Sequence, residues 1–213
     1  NFTDDWRVLL GARYTQEDKD AERRQAHFNS AGVDQGSSNP TLNALYGLLR
    51  VEPNELEGSR SEDAFTPQLT LQWDATEDLM LYATYVEGFK SGGFNGRANT
   101  PGEIGAYDPE YVWTYELGSK NTFADGTMRL NGAVFYSDYT DFQARVSDVY
   151  DTAAGPNFSF PVLNAGSMEM YGAELEATWI PIDELNLQAQ IGYLNADYKE
   201  FTASTVIANK PVE

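Results

Sequence analysis

The sequence has no cysteine and one histidine, His27. The first absence excludes a disulfide framework and thiolate metal ligands. The second leaves too few imidazoles for a histidine metal centre or for a serine, histidine and acid triad within these residues, so His27, in a polar stretch, reads as a solvated loop residue. Basic residues are scarce as well. Fourteen Lys and Arg stand against 33 Asp and Glu, for a net charge of -19, which repels a phosphate backbone and excludes nucleic acid as a partner. No apolar run reaches the roughly 18 residues of a transmembrane helix. The opening "NFTDDW" shows no basic region followed by an apolar core, so no signal peptide is visible.

What is present is alternation. The chain has 213 residues, 41% hydrophobic and 22% charged, enough for one domain or for a piece of a larger one. "WRVLLGARYT" sets Trp6, Val8, Leu10, Ala12 and Tyr14 against Arg7, Leu9, Gly11, Arg13 and Thr15, the period of a strand. After a long polar stretch, 17 to 62, in which only "LNALYGLLRV" suggests a short helix, the pattern returns. Leu69, Leu71 and Trp73 oppose Gln68, Thr70, Gln72 and Asp74. Tyr111, Trp113, Tyr115 and Leu117 oppose Val112, Thr114 and Glu116, and Asp125-Gly126 marks a tight hairpin. Met128, Leu130, Val134 and Tyr136 oppose Arg129, Asn131, Ala133, Phe135 and Ser137. Two clean strands close the series, with Tyr171, Ala173, Leu175, Ala177 and Trp179 opposing Glu174, Glu176 and Thr178, and Leu185, Leu187, Ala189, Ile191 and Tyr193 opposing Asn186, Gln188 and Gln190. In "LMLYATYVEGFK" both faces are apolar, and neither is assigned from the sequence.

The connections sort by length. Short turns ("ATED", "FADG", "PIDE") alternate with long polar loops at about 17 to 62, 91 to 108 and 146 to 165. A soluble sandwich has no reason for this sorting, whereas a transmembrane β-barrel has short turns on one side, long loops on the other, and strands of roughly 9 to 11 residues. Trp6, Trp73 and Trp179 lie at the short-turn ends of the apolar faces, with Tyr14, Tyr111, Tyr136, Tyr171 and Tyr193 toward the long loops. Amphipathic rings settle at both membrane borders. The polar faces then line a wet interior, which also accounts for Glu174 and Glu176 without a paired-carboxylate catalytic site. The glycines Gly88, Gly92, Gly93 and Gly96 read as positions of positive φ where a strand enters a loop; "GFKSGG" lacks the spacing of a phosphate loop. The acidic "DVYDTAAGPN" and "YDPE" match no EF-hand calcium loop.

The segments "LYATYVEGFKSGGFN", "PEYVWTYELGSKN", "LNGAVFYSDYTDFQ", "NAGSMEMYGAELEATWIP" and "GYLNADYKEF" resemble consecutive strands from the C-terminal part of TonB-dependent outer-membrane receptors. The likeness runs in order from about Phe65 to Phe201, and "GARYT" fits it. The resemblance implies an all-β, antiparallel transmembrane barrel of 22 strands, of which about seven are present, in the outer membrane of a Gram-negative bacterium. On the residues themselves, no enzymatic activity and no resident cofactor or metal is expected. The implied activity is energy-coupled import of a scarce nutrient, with ferric siderophores the commonest substrate class, and the implied partners are outer-membrane lipid, the small-molecule ligand, and TonB acting through an N-terminal plug. Residues 1–213 would all be barrel wall; the plug and the terminal aromatic residue of such barrels are missing, and seven strands cannot close a barrel of even strand number. A piece of a longer protein is therefore expected. Ligand recognition would fall on the long loops, at Phe94, Arg97, Tyr107, Arg145 and Tyr150, where an arginine could pair with a carboxylate or an anionic metal chelate. Two alternatives stay open: a passive porin or small adhesion barrel, and a secreted soluble β-sheet carbohydrate-binding protein.

Overall fold

The computed structural model describes residues 5–26, 28, 31, 40, 41, 44, 45, 54–96, 105–152, 155–201, 205–207 and 210–212. His27, Arg97 and most of "LNALYGLLRV" lie outside them. Seven long strands carry the fold: β1 (Trp6–Gln25), β2 (Asn54–Thr76), β3 (Leu79–Lys90), β4 (Glu110–Phe123), β5 (Met128–Thr140), β6 (Gly166–Ile182) and β7 (Leu185–Phe201). They form one antiparallel meander in which each strand pairs with its neighbours in sequence. Among the described residues the sheet is not closed.

Register converts the alternation into two faces. On one face a row runs Leu10, Leu69, Tyr85, Tyr115, Tyr136, Tyr171 across six strands. Toward the short turns, Trp6 stacks on Trp73 with centroids 5.3 Å apart, and Phe123, Met128 and Trp179 are aligned. Trp6 and Tyr14, Trp73 and Phe65, Phe123 and Tyr115, and Trp179 and Tyr171 are each eight positions apart, which is about 26 Å along a strand and roughly 20 Å of depth at a tilt near 40°. Both aromatic borders step by four positions between β2 and β4, as tilted strands require if the borders are to stay level.

Between the borders this face is apolar and uncovered. Leu10 is 80% exposed and Ile191 71%, a continuous patch that water would not tolerate. The opposite face is polar. Thr70 bonds Thr84 at 3.0 Å, Thr114 bonds Ser137 at 2.8 Å, and Arg7 reaches Asp74 and Gln72. The register also assigns β3: Leu79, Leu81, Ala83 and Tyr85 share the apolar face, while Tyr82 lies on the polar face and donates to Glu116 at 2.7 Å.

Two expectations need correction. The stretch from 17 to 62 is not all loop, because β1 and β2 stay paired as far as Gln25 and Asn54. Alternation vanishes there because one face of the hairpin is solvated and the other is covered by loops that it meets largely through polar and charged side chains such as Arg60 and Glu62, so neither face has to be apolar. The tight turn after β4 places Ala124 and Asp125 at φ 52° and 53°, with Gly126 N–H donating to Phe123 C=O at 3.2 Å. The two central positions of this primed turn are therefore Ala124-Asp125, one residue earlier than the Asp-Gly pair suggested.

Candidate functional site

The packed interior sits at the long-loop end. Among the described residues, the buried apolar ones are Leu56, Ala64, Val146, Ala165 and Met168, all at this end of the sheet, which we call the mouth. Buried beside them are the polar residues Glu110 and Gln143.

Of the five candidate residues, the structure brings together Phe94 and Tyr107. They lie on a two-rung ladder, Gly93 opposite Tyr107 and Phe94 opposite Ala106, laid over the polar face of β2. Phe94 covers Gly58, where a Cβ would overlap its ring, and Tyr107 covers Gly93. Arg60 donates to the Tyr107 carbonyl at 2.6 Å and pairs with Asp108 at 2.8 Å and with Glu62. Hydrogen bonding to Asp108 pushes the Arg60 pKa up, so it stays charged. Lys19 donates to Ser91 and to the Gly92 carbonyl. The Ser91 hydrogen bond, helped by Lys19, holds Glu17 below its usual value.

Arg145 stands apart, in a short strand, Gln143–Arg145, paired with Val162–Asn164. It is exposed and makes no ion pair with the described residues. Tyr150 is on the next short strand, Asp148–Thr152; its side chain and Arg97 lie outside the described set.

The loop glycines are not at positive φ, which among described glycines occurs at Gly126 and Gly166. They serve close approach instead. A Cβ on Gly92 would overlap the Tyr107 carbonyl and sit 2.7 Å from a Glu62 oxygen.

Sequence reasoning missed an aromatic wall. Tyr139, Phe142, Tyr198 and Phe201 form a chain of ring contacts at 6.2, 5.8 and 4.9 Å on the polar side of the mouth. A register shift opposite Ser167/Met168 leaves Lys199 unpaired, so Tyr198 and Phe201, an odd number apart, share one face. No local pattern announces such a bulge. No group of three or more His, Cys, Asp or Glu among the described residues is placed to hold a metal ion.

A model of the family described as "TonB dependent receptor-like, beta-barrel" matches residues 1–212. The chain belongs to the TonB-dependent receptor family. The sheet is therefore wall of an outer-membrane barrel, its polar face toward the lumen and its mouth extracellular. The pesticin receptor of Yersinia pestis is 28% identical over 152 residues, 71% of this chain and 21% of that protein. The metal-pseudopaline receptor CntO of Pseudomonas aeruginosa is 23% identical over 196 residues, 92% of this chain and 23% of that one. The crystal structure of the ferric yersiniabactin uptake receptor FyuA from Yersinia pestis superposes with a TM-score of 0.68 at 20% identity, covering 93% of this chain and 25% of that receptor. The chain thus spans about a quarter or less of the length of these relatives.

Proposed function

We propose that the chain is barrel wall, throughout residues 1–213, of a transporter that imports a ferric siderophore across the outer membrane, driven by TonB acting on an N-terminal plug. The observation that carries this reading is the family match over residues 1–212 in a sheet whose lumen face is polar and whose mouth is built up with packed loops. Relatives named for yersiniabactin uptake and for a metal–pseudopaline complex support a metal chelate as the ligand class. The chain's part is to bind and position; it performs no covalent chemistry. Arg145 is the ligand-facing cation, suited to a carboxylate or phenolate of the chelate. The wall of Tyr139, Phe142, Tyr198 and Phe201 offers ring faces for an aromatic siderophore. Phe94 and Tyr107 shape the mouth, and Arg97 and Tyr150 remain ligand-contact candidates.

The test is uptake of iron-55 carried by yersiniabactin in iron-starved cells. Uptake should disappear when the receptor gene or TonB is deleted. Unchanged iron uptake, with loss of small-solute permeation on receptor deletion, would instead support the passive porin.

A further inference from the structure

We propose that residues 91–95 form a fixed strap across the lumen side of the mouth, and that Gln143 is the residue that holds it. The segment connects β3 to the ladder before β4, yet its anchors lie on other strands. On one side, Lys19 of β1 binds Ser91 and the Gly92 carbonyl, and Glu62 of β2 accepts the Gly92 N–H at 2.9 Å. On the other side, Asn95 takes both polar groups of Val162: its Oδ1 accepts the Val162 N–H at 2.8 Å and its Nδ2 donates to the Val162 carbonyl at 3.1 Å. A side-chain amide here imitates a ladder rung, joining the strap to the β5–β6 loop. Asn164 repeats the device on Asp108, accepting its N–H at 2.7 Å and donating to its carbonyl at 2.8 Å.

Gln143 lies beneath these contacts. Its backbone N–H donates to buried Glu110 at 2.7 Å. Its Nε2 is 3.0 Å from the Ser91 and Asp108 carbonyls and 3.3 Å from that of Lys90, so two N–H groups serve three acceptors from two chain segments. Removing this amide takes a donor from the Lys90 and Ser91 carbonyls, whereas the Asp108 carbonyl keeps that of Asn164. The strap is closed on the β1–β2 side, on the β5–β6 side and from below. It therefore belongs to the wall. A pre-ordered rim of this kind spares a ligand the cost of ordering it on binding. The inference rests on contacts alone and holds whatever the ligand proves to be.

Amide hydrogen exchange on the whole receptor in detergent micelles, without ligand, tests it. In the native protein, amides at Gly92, Asp108, Gln143, Val146 and Val162 should be protected as strongly as those in the outer halves of β3 to β5. Gln143→Ala should accelerate exchange at 91–95, 106–109 and 142–146 together, by at least tenfold, and leave β7 unchanged. Should that variant fail to fold, Asn95→Ala should release 91–95 and 161–163 while sparing Asp108, whose N–H is held by Asn164, and Gln143. Exchange of native 91–95 at the rate of a free loop, or acceleration by Gln143→Ala confined to 142–146, would overturn the proposal. Because no siderophore enters the measurement, its failure and that of the transport reading are separable.

Discussion

Leu175 lies four positions from Tyr171 and four from Trp179, about 13 Å along the strand from each border, so it marks the middle of the bilayer. Its neighbours in the row are Gly132 and Ile191, and its side chain is on the uncovered face. Arginine on the lipid face of a barrel costs about 2–4 kcal/mol at this depth. Leu175→Arg should therefore lower the folding equilibrium of the receptor by about two orders of magnitude, at about 1.4 kcal/mol per decade. Glu174→Arg, one residue away on the lumen face, meets no hydrocarbon and should change stability by less than about 0.5 kcal/mol. Leu175→Phe separates lipid from a protein core: it is near neutral against fluid chains but costs about 1–3 kcal/mol in a packed interior. The assay is urea titration of the receptor in lipid vesicles, with the folded band read by gel mobility. The reasoning fails if Glu174→Arg costs as much as Leu175→Arg, or if Leu175→Phe destabilises by more than about 1 kcal/mol.

Three further outcomes follow from the same geometry. Gly166 has φ 140° and a Cβ there would overlap the Glu200 carbonyl, so Gly166→Ala should cost about 1–3 kcal/mol in that titration, while Gly192→Ala, with open space around it, stays within about 0.5 kcal/mol. Arg60→Ala strands Glu62, whose side chain is 8% exposed, and should cost about 3 kcal/mol of local stability, seen as faster exchange at Gly92 and Asp108 with the spanning strands unaffected. Glu17 has a depressed pKa in the folded state, so its contribution is complete above its ordinary value of 4.5 and is lost as pH falls through the lower folded value. Protection at Gly92, corrected for intrinsic exchange, should fall below about pH 4.5 in the native receptor, and the part due to Glu17 should be absent in Glu17→Gln.

The spanning parts of the sheet were legible because hydrocarbon and water impose opposite demands on alternate residues, as along Tyr171–Trp179. Where that contrast ends, so does legibility. Residues 17–25 and 54–62 are solvated on one face and meet covering loops on the other largely through polar and charged side chains such as Arg60 and Glu62, so they read as loop. On β3 the alternation is masked because Tyr82 faces the lumen: a Cβ on Gly118 would overlap its ring, and its hydroxyl reaches Glu116, partners on the next strand that β3's own sequence does not encode. The mouth was less legible still. Gln143, Asn95 and Asn164 act on backbone groups 23 to 67 residues away in sequence, and an amide that imitates a peptide leaves no pattern of its own. Phe94 and Tyr107 were found as loop aromatics, but their packing on Gly58 and Gly93 depends on how the loop folds back.

The measurement that bears most directly on the barrel reading is a spin-label scan along β6. Single cysteines at positions 171 to 178 of the whole receptor in lipid vesicles would each be labelled and tested for access to oxygen, which dissolves in lipid, and to a water-soluble nickel chelate. The account predicts a period of two, with oxygen access highest at odd positions and greatest near 175, and the even positions shielded from lipid. Equal access on both faces, or a period near 3.6, would contradict it.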